Sequence, residues 1–308
     1  MGLGEILSLL CAFLWAIAVI YYKKAGDHFN AYEMNLFKSV LVFALMVPTV
    51  IIADQLLTAS HDYSYTHVYG FLIPVIEVSQ LFIILSSGIV GIMLADMFYL
   101  RALQLIGASL TGITGSLYSP FVVGFSLLFF GESLNIWQYI GMVMVLSGVI
   151  LVGYRKKSLD IKHPPIKGFV FAVLAVLFTA LGIVMIKPLS NDVPFFWLIL
   201  IRSFGGMVAM MVYGLVLRKS LAIIHIVKKK GGKWLIVGAF IGQYVSMMVW
   251  VAGYKYTSAS IASILNETAS IFILLLSWLM LGEKIDRRKL IGIGITMTGV
   301  VFVLLLKQ

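Results

Sequence analysis

GESLNIWQYIGMVMVLSGVILV at 131–152 and GEKIDRRKLIGIGITMTGVVFV at 282–303 are one pattern written twice, 151 residues apart. Aligned, they share Gly131/Gly282, Glu132/Glu283, Ile140/Ile291, Gly141/Gly292 and Gly148/Gly299. The offset of 151 runs back without a gap to Gly91/Gly242. Nearer the amino end it becomes 164, pairing Gly4 with Gly168, Ala16 with Ala180, Lys23 with Lys187 and Lys38 with Arg202. The difference of 13 is a longer loop in the first copy. A period of nearly half the 308 residues means that the chain is a duplication.

The duplicated unit is an apolar one. Hydrophobic residues make up 61% and charged residues 12% of the chain, against about 45–50% and about 25% in a soluble domain. That excludes a soluble enzyme, a disordered protein and a nucleic-acid module. Apolar runs of spanning length fall at 3–22, 31–53, 81–104, 109–130, 135–154, 167–187, 194–217, 233–255, 259–281 and 289–306. Lipid offers the backbone no hydrogen-bond partner, and runs this long do not alternate as barrel strands do, so they are helices. The stretch 54–80 is too interrupted to span and is expected to lie at the interface. The first run is expected to be retained, because it lacks the flanks of a cleaved leader. The net charge of +10 is spread over the gaps between runs and reads as topology signal, with no nucleic-acid partner. Cys11 is the single cysteine, so no intrachain disulfide forms. His28, His61, His67, His163 and His225 sit in or near gaps at no metal-ligand spacing, and neither metal nor cofactor is implied.

Ten runs in two copies make five per copy. An odd number forces the second copy into the membrane upside down, giving an inverted repeat about an axis in the membrane plane. The expected fold is all-α and integral to the membrane: ten transmembrane helices as two five-helix repeats, 1–157 and 167–308, joined by a linker at 158–166. Inverted repeats of this kind are characteristic of carriers that alternate access around a central site.

The two halves, each closing on a Gly-Glu turn and a glycine-containing last helix, resemble the EamA-type family of the drug/metabolite transporter superfamily. LCAFLWAIAVIYYKK at 10–24 is similar to that family's first helix, with Trp15 and a basic end, and DMFYLRALQLIGASL at 96–110 to its third helix running into the fourth. The resemblance implies a ten-helix secondary transporter or exporter of small metabolites in the plasma (cell inner) membrane. It also implies a central cavity with the fifth and tenth helices peripheral, and names no substrate.

Ionisable groups deep in the runs are few: Lys38, Asp96, Arg202 and Glu267. A charge at a helix centre costs about 2.5–3.5 kcal/mol on insertion scales, so each needs a partner, water or a function. Lys38 and Arg202 have long stems, and snorkelling is their alternative reading. Glu267 cannot reach far. With Ser260, Ser263 and Ser270 it lies on one helical face, and Asn266 stands beside it. The matching face of the first copy holds Ser109, Gly112, Ser116 and Ser119, next to Tyr118 and Pro120. Such stripes also serve close packing. Gln243, Met247, Trp250 and Tyr254 form another stripe, which the repeat maps onto Ile92, Asp96, Tyr99 and Leu103. Asp96 has pairing with Arg101 or exposure to water as its alternative. Glu132 and Glu283 begin a turn before a helix, where a carboxylate meets free amides. Gly141, Gly148, Gly292 and Gly299 recur every seven residues, as a packing seam requires.

The expected solute site is therefore Trp15, Lys38, Asp96, Tyr99, Tyr118, Arg202, Gln243, Trp250, Asn266 and Glu267. The expected partners are a small organic solute, an amino acid or related metabolite by preference, membrane lipid, and a proton or counter-solute for coupling. No Walker-type loop is present, so ATP is not the direct energy source. The alternatives are a multidrug or organic-cation exporter, and a membrane assembly scaffold. An intramembrane enzyme would need a converging His, Cys or carboxylate pair within the spans. Of the Lys and Arg residues in the gaps, 18 fall in odd-numbered gaps and three on the other side. That bias puts both termini outside, whereas the resemblance implies both inside.

Overall fold

The computed structural model describes residues 1–26, 28–57, 65–68, 71–153, 166–217, 228–281 and 287–305. In the first copy α1 is Leu3–Gly26 and α2 is Ala31–Leu57. A hairpin of β1 (Tyr65–Val68) and β2 (Phe71–Pro74) follows, paired antiparallel with Tyr65 opposite Pro74. Next come α3 (Val78–Gly88), a π turn (Ile89–Leu94) and α4 (Ala95–Gly115) in one continuous rod, then α5 (Tyr118–Phe130) and α6 (Ile136–Gly153). The second copy has α7 (Ile166–Ile186) and α8 (Phe195–Val216). Its rod is α9 (Gly232–Ala239), a π turn (Phe240–Val245) and α10 (Ser246–Tyr256). It closes with α11 (Ala259–Asn266), α12 (Ala269–Leu281) and α13 (Arg287–Leu305).

Local chemistry starts and stops these helices. Asn30 and Glu33 form a reciprocal box at the start of α2: the Asn30 N–H donates to Glu33 Oε2 at 2.8 Å and the Glu33 N–H to Asn30 Oδ1 at 2.9 Å. Asn135 and Gln138 do the same for α6, at 3.0 and 2.8 Å. α5 ends on Gly131 at φ 65°, where only glycine is unstrained, with the Glu132 N–H returning to Ser126 O at 3.2 Å.

The element boundaries keep the sequence offset. The π turns begin at 89 and 240, α5 and α12 at 118 and 269, and α6 and α13 at 136 and 287, each pair 151 apart. Pseudo-equivalent helices also meet antiparallel. A Cβ on Gly141 would lie 2.7 Å from Gly299 O, one on Gly148 would lie 2.6 Å from Gly292 O, and one on Gly299 would lie 2.7 Å from Gly141 O. The contact runs up α6 and down α13, and the expected glycine seam is this one. α2 and α8 cross likewise: the Phe43 ring is 5.5 Å from Phe204, and Asn35 Nδ2 approaches Met210 Sδ at 3.8 Å.

Eight helices among the described residues are long and apolar enough to cross a membrane, with Tyr118–Phe130 and Ile136–Leu151 as shorter apolar helices. The protein is an integral, multi-pass membrane protein of all-helical type. Large apolar side chains such as Leu128, Phe129, Trp137, Trp278 and Leu279 are exposed on its outside. Two boundaries differ from the sequence reading. The expected break at 105–108 is absent, since α4 runs on to Gly115 and the chain breaks at Ser116–Leu117. The expected single helix 259–281 breaks at Glu267–Thr268, the repeat-equivalent place. Polar residues mark both positions, Ser116 in the first copy and Asn266–Glu267–Thr268 in the second, but they fit the three- and four-residue steps of a continuous helical stripe and so read as a face rather than as a break. Of the stretch 54–80, the described part is the end of α2, the hairpin with its exit, and the first residues of α3, which belong to a candidate membrane span rather than to an interfacial segment.

Candidate functional site

The two deep cations lie on neighbouring, antiparallel helices. Lys38 on α2 is 8% exposed and Arg202 on α8 is 1% exposed, so neither snorkels to an interface. Lys38 Nζ donates to Asp96 Oδ2 at 3.0 Å and lies 5.5 Å from the centre of the Tyr22 ring. Asp96, at the start of α4, thus pairs with Lys38, and Arg101 is exposed. Trp15 meets Tyr22 edge to face at 6.4 Å and is itself exposed, and Tyr99, three residues on from Asp96, is exposed too. Trp15, Tyr22, Lys38 and Asp96 therefore form one cluster, carried by α1, α2 and α4.

A second cluster gathers at the equivalent place in the other copy. Arg202 lies 5.2 Å from the Trp250 ring, and Trp250 meets Tyr254 edge to face at 5.5 Å. The Tyr254 and Tyr118 hydroxyls hydrogen-bond one another. One residue on, the Ser119 N–H donates to Glu267 Oε1 at 3.2 Å. Glu267 is 7% exposed and stands at the break between α11 and α12, facing the first turn of α5. A carboxylate there meets a free amide and the positive end of the α5 dipole. Asn266 sits beside the Tyr254 hydroxyl, and neither end of its buried amide has hydrogen-bond geometry with a described residue. The chain Arg202–Trp250–Tyr254–Tyr118–Ser119–Glu267 thus links α8, α10, α5 and the α11–α12 break.

Glycines let these helices close up. A Cβ on Gly91, in the first π turn, would sit 2.8 Å from an Arg202 Nη2 and 3.1 Å from Gly182 Cα. Its equivalent Gly242, in the second π turn, would meet Ala18 Cβ at 2.5 Å. Gln243 is buried in that same turn. π turns recur at functional positions in helices, and here each sits between a charged cluster and the other copy's first helix.

At the junction of α10 and α11 the helix ends are met by charges from elsewhere. Lys187 Nζ donates to the carbonyls of Tyr254 and Thr257, both at 2.8 Å. Glu132 accepts the Ala259 and Ser260 N–H groups at 3.4 Å. Thr257 Oγ1 donates to Glu5 at 3.1 Å. A cation thus stands at a helix C-terminus and an anion at an N-terminus, each complementing a dipole. Burial draws the Lys187 ammonium below the ordinary lysine range, with Glu132 pulling it back. Glu132 is a cap, as expected, but of a helix in the opposite copy. Glu283, the side chains of Ser109 and Gly112, and the loops bearing His61, His163 and His225 lie outside the described residues. Ser260 is taken by Glu132 at 3.4 Å and Ser263 by the Ser260 carbonyl at 2.8 Å, so half of that stripe is internally bonded.

Tyr22 and Lys187 were not among the residues expected at the site. The pairing of Lys187 with Lys23 in the repeat was a usable signal for one. Nothing in the sequence marks Tyr22 among the aromatics of the first span.

The profile of the EamA-like transporter family matches this chain over residues 2–154 and 166–305. Human "Solute carrier family 35 member G1" is 26% identical over 204 residues, which is 63% of this chain and 50% of that protein. The chain thus spans about half the length of this curated relative. A crystal structure of 16% identity superposes with a TM-score of 0.71, covering 98% of both chains, and so shares the fold.

Proposed function

The chain belongs to the EamA-like transporter family, and from that premise we propose that it is a secondary transporter of a small organic solute, working by alternating access. Ten membrane-crossing segments in two inverted five-helix copies, 1–157 and 167–308 with 158–166 between, are part of the reading. The common offset of element boundaries and the antiparallel meeting of α6 with α13 support it. In this reading α6 and α13 are peripheral, and the solute binds between the two charged clusters. Trp15, Lys38, Asp96, Tyr99, Tyr118, Arg202, Gln243, Trp250, Asn266 and Glu267 contribute to its site. An amino acid or related metabolite is the favoured class, and the human relative's name as a solute carrier is in keeping with it.

The observation that carries the proposal is the placement of Lys38 and Arg202. They are repeat-equivalent, buried cations on helices that pack antiparallel on one another, and intramembrane charges of this kind mark solute or ion pathways. A scaffold has no use for them at that cost. Coupling runs through a proton on Glu267 or through a counter-solute.

Purified protein in proteoliposomes, offered a panel of radiolabelled amino acids and related metabolites, provides the test. Uptake of at least one solute above protein-free vesicles, saturable and independent of ATP, is expected. Uptake equal to that of empty vesicles across the panel would refute the proposal.

A further inference from the structure

We propose that Arg202 anchors the single negative charge of the transported solute, which makes this protein a carrier for small organic monocarboxylates with an aromatic or planar body. The inference rests on the transporter reading and goes beyond it in naming the charge.

The asymmetry between two equivalent positions is the starting point. Lys38 has its counter-ion in Asp96 at 3.0 Å. By the repeat the residue answering to Asp96 is Met247, a thioether whose Sδ lies 3.9 Å from the hydroxyl of Ser203, the residue after Arg202. Arg202 is 1% exposed, and its Nε and Nη1 have no hydrogen-bond partner among the described residues. The face of Trp250, 5.2 Å away, stabilises the charge in part. It leaves the N–H groups unanswered, and a buried guanidinium with unanswered donors is strongly disfavoured in a low-dielectric interior. A carboxylate is the group that guanidinium geometry fits best.

Asn266 supplies an independent second observation. Its amide atoms are buried beside the Tyr254 hydroxyl, neither with full hydrogen-bond geometry to a described residue, and they are reached from Arg202 through Trp250 and Tyr254. Buried polar atoms are ordinarily bonded, so two such groups joined by an aromatic wall describe complementary ends of one molecule. That molecule carries a carboxylate at Arg202, a flat apolar body along Trp250, Tyr254 and Tyr118, and a neutral polar group at Asn266. Lys38 is already neutralised by Asp96, so among the described residues of the two clusters no second cation awaits another negative charge. An organic cation would face Arg202 unshielded.

Three probes that share ring and hydroxyl separate these cases in a thermal unfolding assay on the full-length protein: 4-hydroxyphenylacetate, its amide, and tyramine. At 10 mM the acid should raise the unfolding midpoint by about 2–4 °C, and the amide and the amine should leave it unchanged. Arg202→Gln should abolish the shift and Arg202→Lys should keep part of it. Met247→Asp places a carboxylate where the repeat has Asp96. It should leave the protein at least as heat-stable as the parent while removing the acid's effect, and this variant carries the test if Arg202→Gln does not fold. No shift with the acid, an equal shift with amide or amine, or an undiminished shift in Met247→Asp would overturn the inference. Proteoliposome flux distinguishes its failure from that of the transporter reading. Flux of the amide or amine but not the acid leaves a transporter without a carboxylate site, whereas acid binding without flux of any solute leaves the site without a transporter.

Discussion

At the residue scale, the central fact is that four ionisable side chains inside an apolar bundle do not share one kind of partner. Lys38 and Asp96 answer one another, Glu267 is met by the amide of Ser119, and Arg202 by an aromatic face. The positions of these residues were legible, because a Lys, Asp, Arg or Glu within an apolar run is visible at once. Their partners were not, since Lys38–Asp96 spans 58 residues of sequence and Ser119–Glu267 spans 148. Glu267→Gln keeps an oxygen for the Ser119 amide and removes the charge. Transport is expected to fall at least about tenfold, equivalent to about 1.4 kcal/mol or more in the barrier, with abundance and unfolding temperature nearly unchanged. Normal transport by this variant at every pH tested would make Glu267 an anchor for α5 and nothing else.

At the scale of elements, the fold is held by junctions that one copy makes to the other. Glu132 lies in the loop of the first copy and caps α11 of the second, and its equivalence to Glu283 predicted a cap without saying of which helix. Capping and helix-dipole interactions are each worth about 0.5–2 kcal/mol. Glu132→Gln should therefore lower stability by about 1 kcal/mol in a denaturant titration, and Lys187→Met by a similar amount. Because the two charges face opposite ends of one junction, the double variant should lose less than the sum of the two losses. Strict additivity would show that the junction is not one unit. The glycine seam between α6 and α13 gives a sharper case, for a Cβ at Gly148 would stand 2.6 Å from Gly292 O. Backbone cannot yield as a side chain does, so Gly148→Val should cost about 1–3 kcal/mol through overpacking. Gly124→Ala, with nothing within 4 Å of the new Cβ, should be neutral or mildly stabilising. Equal effects at the two glycines would mean that α6 and α13 are not in contact. The seven-residue spacing of these glycines announced the seam. The breaks at Ser116–Leu117 and Glu267–Thr268 carry polar residues, Ser116 and Asn266–Glu267–Thr268, but their spacing matches a continuous helical stripe and so announced a face rather than a stop.

At the scale of the whole molecule, the duplication was the most legible feature, since a repeat survives where single motifs are loose. It carried the element order and the pairing of Lys38 with Arg202. What it could not carry is where the copies depart from one another. Asp96 answers to Met247, α4 is continuous where α10 stops and α11 begins, and among the described residues the hairpin of β1 and β2 belongs to the first copy. Alternating access is the claim on which the rest depends, and it can be measured before the solute is known. In a Cys11→Ser background, Tyr118→Cys places a single thiol in the cluster between Arg202 and Glu267. A membrane-impermeant, negatively charged thiosulfonate is then applied to sealed right-side-out and inside-out vesicles. The account predicts modification of residue 118 from both sides, as the bundle opens to each in turn. Modification from one side only, or from neither, would contradict it.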